Sequence, residues 1–162
     1  MKVRADEHVS PEIVRVVRGI ALKPSWDLTH VYEEGHGGYP DVTWITQFRR
    51  SGGNAILSAD ADFHKRPHQI MAICETGLIV IHMPPKWANS CRCLQAAHIL
   101  YWWDKIEQTL LHAAPRQCWK VPWGFSEKAE LQRIKVDYEQ ARKKTRKATR
   151  RTPPVSRTVT RI

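Results

Sequence analysis

The chain is poor in cysteine and glycine and has no long apolar run. Its 162 residues include four cysteines and eight glycines. No stretch reaches the roughly 18 apolar residues that a membrane-spanning helix needs. The opening MKVRADEHVS has no apolar centre, so it does not read as a secretory signal. Together these absences lead us to expect a cytoplasmic protein. Cys74, Cys91, Cys93 and Cys118 show no C-x-x-C spacing. Cys91 and Cys93 fall at the start of an expected helix, where residues two apart diverge. A zinc knuckle or disulfide framework is therefore excluded, and reduced thiols are expected. A Gly-rich phosphate loop, a G-x-S-x-G elbow and an H-E-x-x-H helix are also missing, which excludes the chemistries those motifs carry.

What is plentiful is positive charge, and it is concentrated at one end. The formal net charge is +10, from 26 basic and 16 acidic residues. Nine of the basic residues lie between Arg142 and Ile162, where there is no acid. Without them 17 bases face 16 acids, so the body of the chain is nearly neutral. A basic tail attracts polyanions through salt-sensitive electrostatics, but a solvated, disordered extension has the same composition.

The apolar pattern predicts strands alternating with helices. Lys2 to Asp6 reads as a first strand, followed by Ser10 as a helix cap and Pro11 at the first helical position. Ile13, Val14, Val16 and Val17 give that helix an apolar face. Trp26 to Tyr32 alternates as a second strand, and the glycines and proline of 34–40 mark a loop. A second helix is expected from Asp41, with Val42, Ile45 and Phe48 inward. Ala55-Ile56-Leu57 forms a short buried strand leading into SADADF. A helix over 67–76, a strand over 78–82, and a long helix with Ala96, Ile99, Trp103, Ile106 and Leu110 on its core stripe come next. Gln117 to Val121 completes the strands. We divide the chain into a domain over 1–125, an amphipathic helix over 126–141 built on Leu131, Ile134 and Tyr138, and a disordered basic tail over 142–162. Such alternation indicates an α/β fold with a mostly parallel sheet covered by helices on both faces.

In sheets of this kind, ligands bind beyond the carboxyl ends of the strands. The acids fall there: Asp6 and Glu7 after the first strand, Asp60 and Asp62 after the third, and Asp41 where the second helix begins. Each alone has an ordinary explanation, since Asp41 or Asp62 can cap a helix and Asp6 can hydrogen-bond its own loop. Gathered on one rim they repel, and a hard cation such as Mg2+ or Mn2+ relieves the conflict. Metal ions held this way activate water for phosphodiester cleavage, with no Ser or Cys nucleophile.

The segments A-D-E-H at 5–8, D-V-T-W-I at 41–45 and S-A-D-A-D-F at 58–63 together resemble the acidic outline of PIN-like domains, in particular the branch of VapC-type toxins. The resemblance spans about residues 1–83. It implies a three-layer α/β/α sandwich and a Mg2+- or Mn2+-dependent ribonuclease. Asp6, Asp41, Asp60 and Asp62 would serve as catalytic metal-binding acids, with Glu7, His8 and Ser58 in support. It further implies RNA as substrate, a cognate antitoxin protein as partner and a homodimer. His8 stands where the family often has Asn, and Asp41 where it often has Glu.

Lys65 and Arg66, directly after the acidic turn, are candidates to contact substrate phosphate, as are Arg49 and Arg50. His64 and His68 are expected as surface histidines near the pocket, because Pro67 spoils a shared zinc-binding face. Trp103 is core by its spacing, whereas Trp102, Trp119 and Trp123 are candidates to cover a subunit or antitoxin surface. Two other readings compete. One is a non-catalytic PIN-like module that binds RNA or protein. The other is an aspartyl-phosphate receiver, suggested by acids at strand ends and by Lys120, but opposed by the paired Asp60 and Asp62.

Overall fold

A computed structural model describes residues 1–151. Six strands form one sheet: β1 (Lys2–Ala5), β2 (Asp27–His30), β3 (Ala55–Ser58), β4 (Ile79–His82), β5 (Cys118–Lys120) and β6 (Gln132–Ile134). Their order is β2-β1-β3-β4-β5-β6. The first five pair in parallel and β6 is antiparallel to β5. The helices are α1 (Pro11–Ile20), α2 (Asp41–Arg50), α3 (Pro67–Thr76), the short α4 (Pro85–Ala88), α5 (Arg92–His112) and α6 (Tyr138–Arg151). None of the described helices is long and apolar enough to cross a membrane.

Strand alternation sorts side chains into two cores, giving the expected three layers. Val3, Ala5, Ala55, Leu57, Ile79 and Ile81 join Ile13 and Val17 of α1 and Ile99, Trp103 and Ile106 of α5. Ile56 and Val80 point the other way, toward Trp44, Ile45 and Phe48 of α2 and Ala72 and Ile73 of α3. Every residue of β3 and β4 is therefore buried, which explains why these strands read as continuous apolar runs. Arg4 shares the second face. Its guanidinium lies 4.3 Å from the Phe48 ring centroid and pairs with Glu34 at 3.2 Å. Gly77 closes α3 at φ +73°, a left-handed position that suits glycine, and its N–H donates to Ile73 O.

Several expectations need correction. Val42 is exposed, and Trp44 fills the inward place on α2. Ser10 precedes α1 as expected, but its hydroxyl donates to Glu12 rather than capping the backbone. Residues 126–141 are not one helix. Leu131 packs in the first core and Ile134 against the second, so the three-residue spacing that suggested a helix here joins opposite faces of a strand. That strand pairs with β5 along an edge otherwise open. The basic segment is helical through Arg151, packed on α3 through the buried Ala141. The tail predicted as disordered over 152–162 lies outside the described residues. Trp102 is fully buried beside Trp103 and covers no surface. All four cysteines are free thiols, as expected.

Ile56 sits in the middle of the sheet with no exposure. Ile56→Ala should cost about 2–5 kcal/mol, read as a lower denaturant midpoint at unchanged slope. Val42→Ala, on the exposed face of α2, should stay within about 0.5 kcal/mol.

Candidate active site

The strand order reverses between β1 and β3, so the ends of these two strands flank a topological switch point, where open parallel sheets form a crevice. Asp6 and Asp60 stand there. Asp6 follows β1, and its N–H donates to Leu57 O at 3.0 Å, extending the β1–β3 ladder by one step. Its carboxylate is 3 % exposed. Oδ1 accepts the His8 backbone N–H at 3.0 Å. The Ser58 hydroxyl and the Ala59 N–H lie near this carboxylate and favour its charged form. The same Ser58 Oγ accepts the Asp60 N–H at 3.1 Å, so this hydroxyl stands between the two acids.

Asp60 is also buried, and its Oδ1 accepts the Asp62 N–H at 2.9 Å. Its Oδ2 accepts no hydrogen bond, but lies 3.3 Å from Nη1 of the half-exposed Arg66. That contact is one of charge rather than of hydrogen-bond geometry. The same Nη1 is 4.0 Å from Asp41 Oδ2, so Arg66 bridges Asp60 to Asp41. Asp41 is the first residue of α2 but does not cap it. Its carboxylate accepts Trp44 Nε1 at 3.1 Å and Gln69 Nε2 from α3.

The remaining candidates separate. Asp62 turns outward, with its Oδ1 2.8 Å from Lys65 Nζ. Glu7 faces away from the rim and accepts the Tyr32 hydroxyl at 3.3 Å. The His8 imidazole is 3.9 Å from Asp6 Oδ2 and acts on it through charge, while its backbone N–H donates to Oδ1. Arg49 and Arg50 end α2 a helix length from Asp41, at the opposite rim, where Arg49 donates to Gly53 O at 2.9 Å. They cannot serve a substrate at the acidic rim. His68 is exposed, but His64 is half-buried.

The sequence reading missed His82. It ends β4 opposite Ser58, is 4 % exposed, and meets His64 edge-on at 4.9 Å between ring centroids. Its Nε2 has no hydrogen-bond partner. A His closing an apolar strand at the rim of a parallel sheet was the available signal.

The acids fit a divalent ion in part. Among the described residues, no three His, Cys, Asp or Glu side chains converge closely enough to share one ion. Asp6 and Asp60 nevertheless each offer a buried oxygen without a hydrogen-bond donor. Mg2+ needs only one or two carboxylates, and completes its shell with water and substrate phosphate. Asp41 could join once Arg66 turns away, whereas Asp62 does not fit.

Burial pushes the Asp6 carboxyl up to about 6, against the Ser58, His8 and Ala59 donors that favour its charge. Burial, with His64 adding to it, pushes His82 down to about 3. The two act oppositely on stability. The raised Asp6 pKa makes the fold lose stability as pH climbs from about 4 to 6, because the folded state holds the extra proton. The depressed His82 pKa makes the fold gain stability as pH climbs from about 3 to 6.5, because the unfolded state holds it. Relative to the parent, Asp6→Asn should therefore make stability rise more steeply with pH between about 4 and 6, and His82→Asn less steeply. Urea unfolding in EDTA at stepped pH measures both slopes.

Neither the curated proteins nor the solved structures provide a match to the chain. A family model described as "PIN like domain" matches residues 1–85, more than half of the chain, and covers β1 through β4 with Asp6, Asp41 and Asp60. The chain belongs to the PIN-like domain family.

Proposed function

We propose that the protein is a metal-dependent endoribonuclease that hydrolyses RNA phosphodiester bonds, with Asp6 and Asp60 as its central carboxylates and Asp41 as a third. The observation that carries this reading is the pair of buried oxygens, Asp6 Oδ2 and Asp60 Oδ2, without hydrogen-bond donors at the switch point of the sheet. A buried carboxylate oxygen left without a donor is costly, and a bound cation offsets that cost. Membership of the PIN-like family, whose domains are generally nucleases, supports the same chemistry.

Asp6 and Asp60 would hold the Mg2+ or Mn2+. When bound, such an ion neutralises phosphate charge and acidifies water for attack on phosphorus. The remaining work belongs to the chain. Ser58 holds the Asp60 backbone, and Trp44 and Gln69 orient Asp41. The Arg66 guanidinium exchanges its carboxylates for the substrate phosphate, which its planar fork fits well. Lys65 stays beside it on the outward turn with Asp62. Within this reading the protein acts in the cytoplasm as the toxin of a toxin–antitoxin pair, with an antitoxin protein as inhibitor and a homodimer as its assembly. The motif pattern at 5–8, 41–45 and 58–63 supports that assignment.

One observation favours a second reading, a PIN-like module that binds RNA or protein without cutting. Arg66 already supplies a cation between Asp60 and Asp41, and no three acids converge among the described residues. Metal binding separates the two readings. If Arg66 competes with the ion, Arg66→Ala tightens Mn2+ binding in calorimetry while weakening RNA binding and lowering its salt slope by about 0.7. If the module is non-catalytic, no Mn2+ binding appears in either protein.

Purified protein should cleave RNA with Mg2+ or Mn2+ and stop with EDTA. Asp6→Asn and Asp60→Asn should each lower the rate by about a hundredfold or more, beyond the 10–100-fold typical of residues behind the ligands. Asp62→Asn, outward and paired with Lys65, should change it by about threefold at most. Expression of the Asp60→Asn variant should not arrest growth. Inactivity of the parent protein across metals and RNAs would favour the binding module.

A further inference from the structure

Beyond the matched residues 1–85 the chain adds β6 and α6, and these create a feature that the acidic rim alone does not have. A cavity of about 340 Å³ opens between the turn after β3 and the start of α6, lined by His64, Lys65, Lys135, Asp137 and Lys144. A second cavity, of about 440 Å³, continues from it along the sheet edge, lined by Arg116, Arg133 and again Lys135. Lys135 and Val136 line both, so the two cavities adjoin as successive hollows of a groove. It starts at Lys65, the residue paired with Asp62, and ends at the outermost strand.

The charges along it are nearly all of one sign. Of the five cations, only Lys65 has an ion-pair partner among the described residues. Asp137 is the one acid in the lining, and its Oδ1 is taken up by the Gln140 N–H at 2.8 Å. Arg116 is held in a left-handed backbone conformation at φ +70°, and its carbonyl accepts the Tyr138 hydroxyl. Its place in the groove is thus set by the fold rather than by a free loop. The same groove runs beside α6, whose Lys144 lines it.

We propose that this groove is the backbone track for a single strand of nucleic acid, with phosphates passing Lys65, Lys144, Lys135, Arg133 and Arg116 on the way from the acidic rim. A line of five cations, four of them without an ion-pair partner among the described residues, matches the repeating charge of a phosphodiester chain, and such tracks are how non-specific single-strand binding is built. The direction of the track rests on the nuclease reading, but its existence does not. The second binding element is therefore supplied by the C-terminal part of the chain, and the basic segment has a defined place for part of its charge.

The experiment is anisotropy of fluorescein-labelled oligouridine with the full chain in EDTA, where cleavage plays no part. Lys135→Ala with Lys144→Ala should weaken binding by about tenfold and lower the salt slope by about 1.4, two single-strand contacts at about 0.7 each. Lys86→Ala with Lys128→Ala removes the same charge away from the groove and should change affinity by about twofold at most. Bound oligouridine should also protect Lys135 and Lys144 of the parent protein from acetylation more than Lys86 and Lys128, a readout that needs no variant. Equal weakening by both pairs, equal protection of all four lysines, or displacement of the RNA by polyglutamate as readily as by unlabelled RNA would overturn the proposal. A protein that binds in this way but never cleaves would leave the track in place and remove the nuclease reading alone.

Discussion

The parallel pairing of β1 with β3 is the constraint on which the site depends. Val3, Arg4 and Ala5 register with Ala55, Ile56 and Leu57, and the ladder continues one residue further through the Asp6 N–H. That extra hydrogen bond holds Asp6 at the strand end instead of releasing it into a loop. β3 is just as firmly held, because both of its faces are buried and a one-residue slip would place its side chains in the wrong core. Two acids that would repel in water are therefore fixed beside one another by apolar burial elsewhere. Ser58 makes the fixation local by accepting the Asp60 N–H beside Asp6.

The polar groups behind the rim grade the acids. Asp6 is buried and accepts the His8 N–H, and burial outweighs the groups that favour its charge. Asp60 is buried but faces a cation. Asp41 is clamped by Trp44 and Gln69, and Asp62 is exposed and paired with Lys65. Four residues of one chemical type thus occupy four electrostatic environments. His82 adds a neutral imidazole beside them, because burial denies it a proton across the neutral range. The strand order β2-β1-β3-β4-β5 is shared by flavin-binding and phosphoacceptor folds as well, so topology alone does not choose the chemistry. The family match narrows it to the PIN-like domains.

The C-terminal part answers a different need. A parallel sheet ending at β5 would leave a row of unpaired backbone groups, and β6 covers it with an antiparallel strand. The turn out of β6 then sends α6 back across α3, bringing the densest positive charge of the chain against the side of the sheet nearest the acidic turn. Edge protection and charge placement follow from the same short strand.

The amino-acid sequence by itself determined the order of β1 to β5 and the helices between them, since apolar runs, Pro11 and Pro67 at helix starts and Gly77 at a helix end are local signals. It also placed Asp6, Asp41 and Asp60 at element ends, because those ends are marked by the same signals. The tertiary structure alone decided which of them meet. Asp62 differs from Asp60 by two positions in the chain, yet one is exposed and the other buried, and only the packing of the turn against β4 and α3 distinguishes them. Arg66 between Asp60 and Asp41, and His82 opposite Ser58, join residues far apart in sequence, which no local pattern encodes. The segment around Leu131 and Ile134 was misread for a related reason. Over so few residues a three-residue spacing suits one face of a helix or two faces of a strand, and the open edge of β5 decided between them.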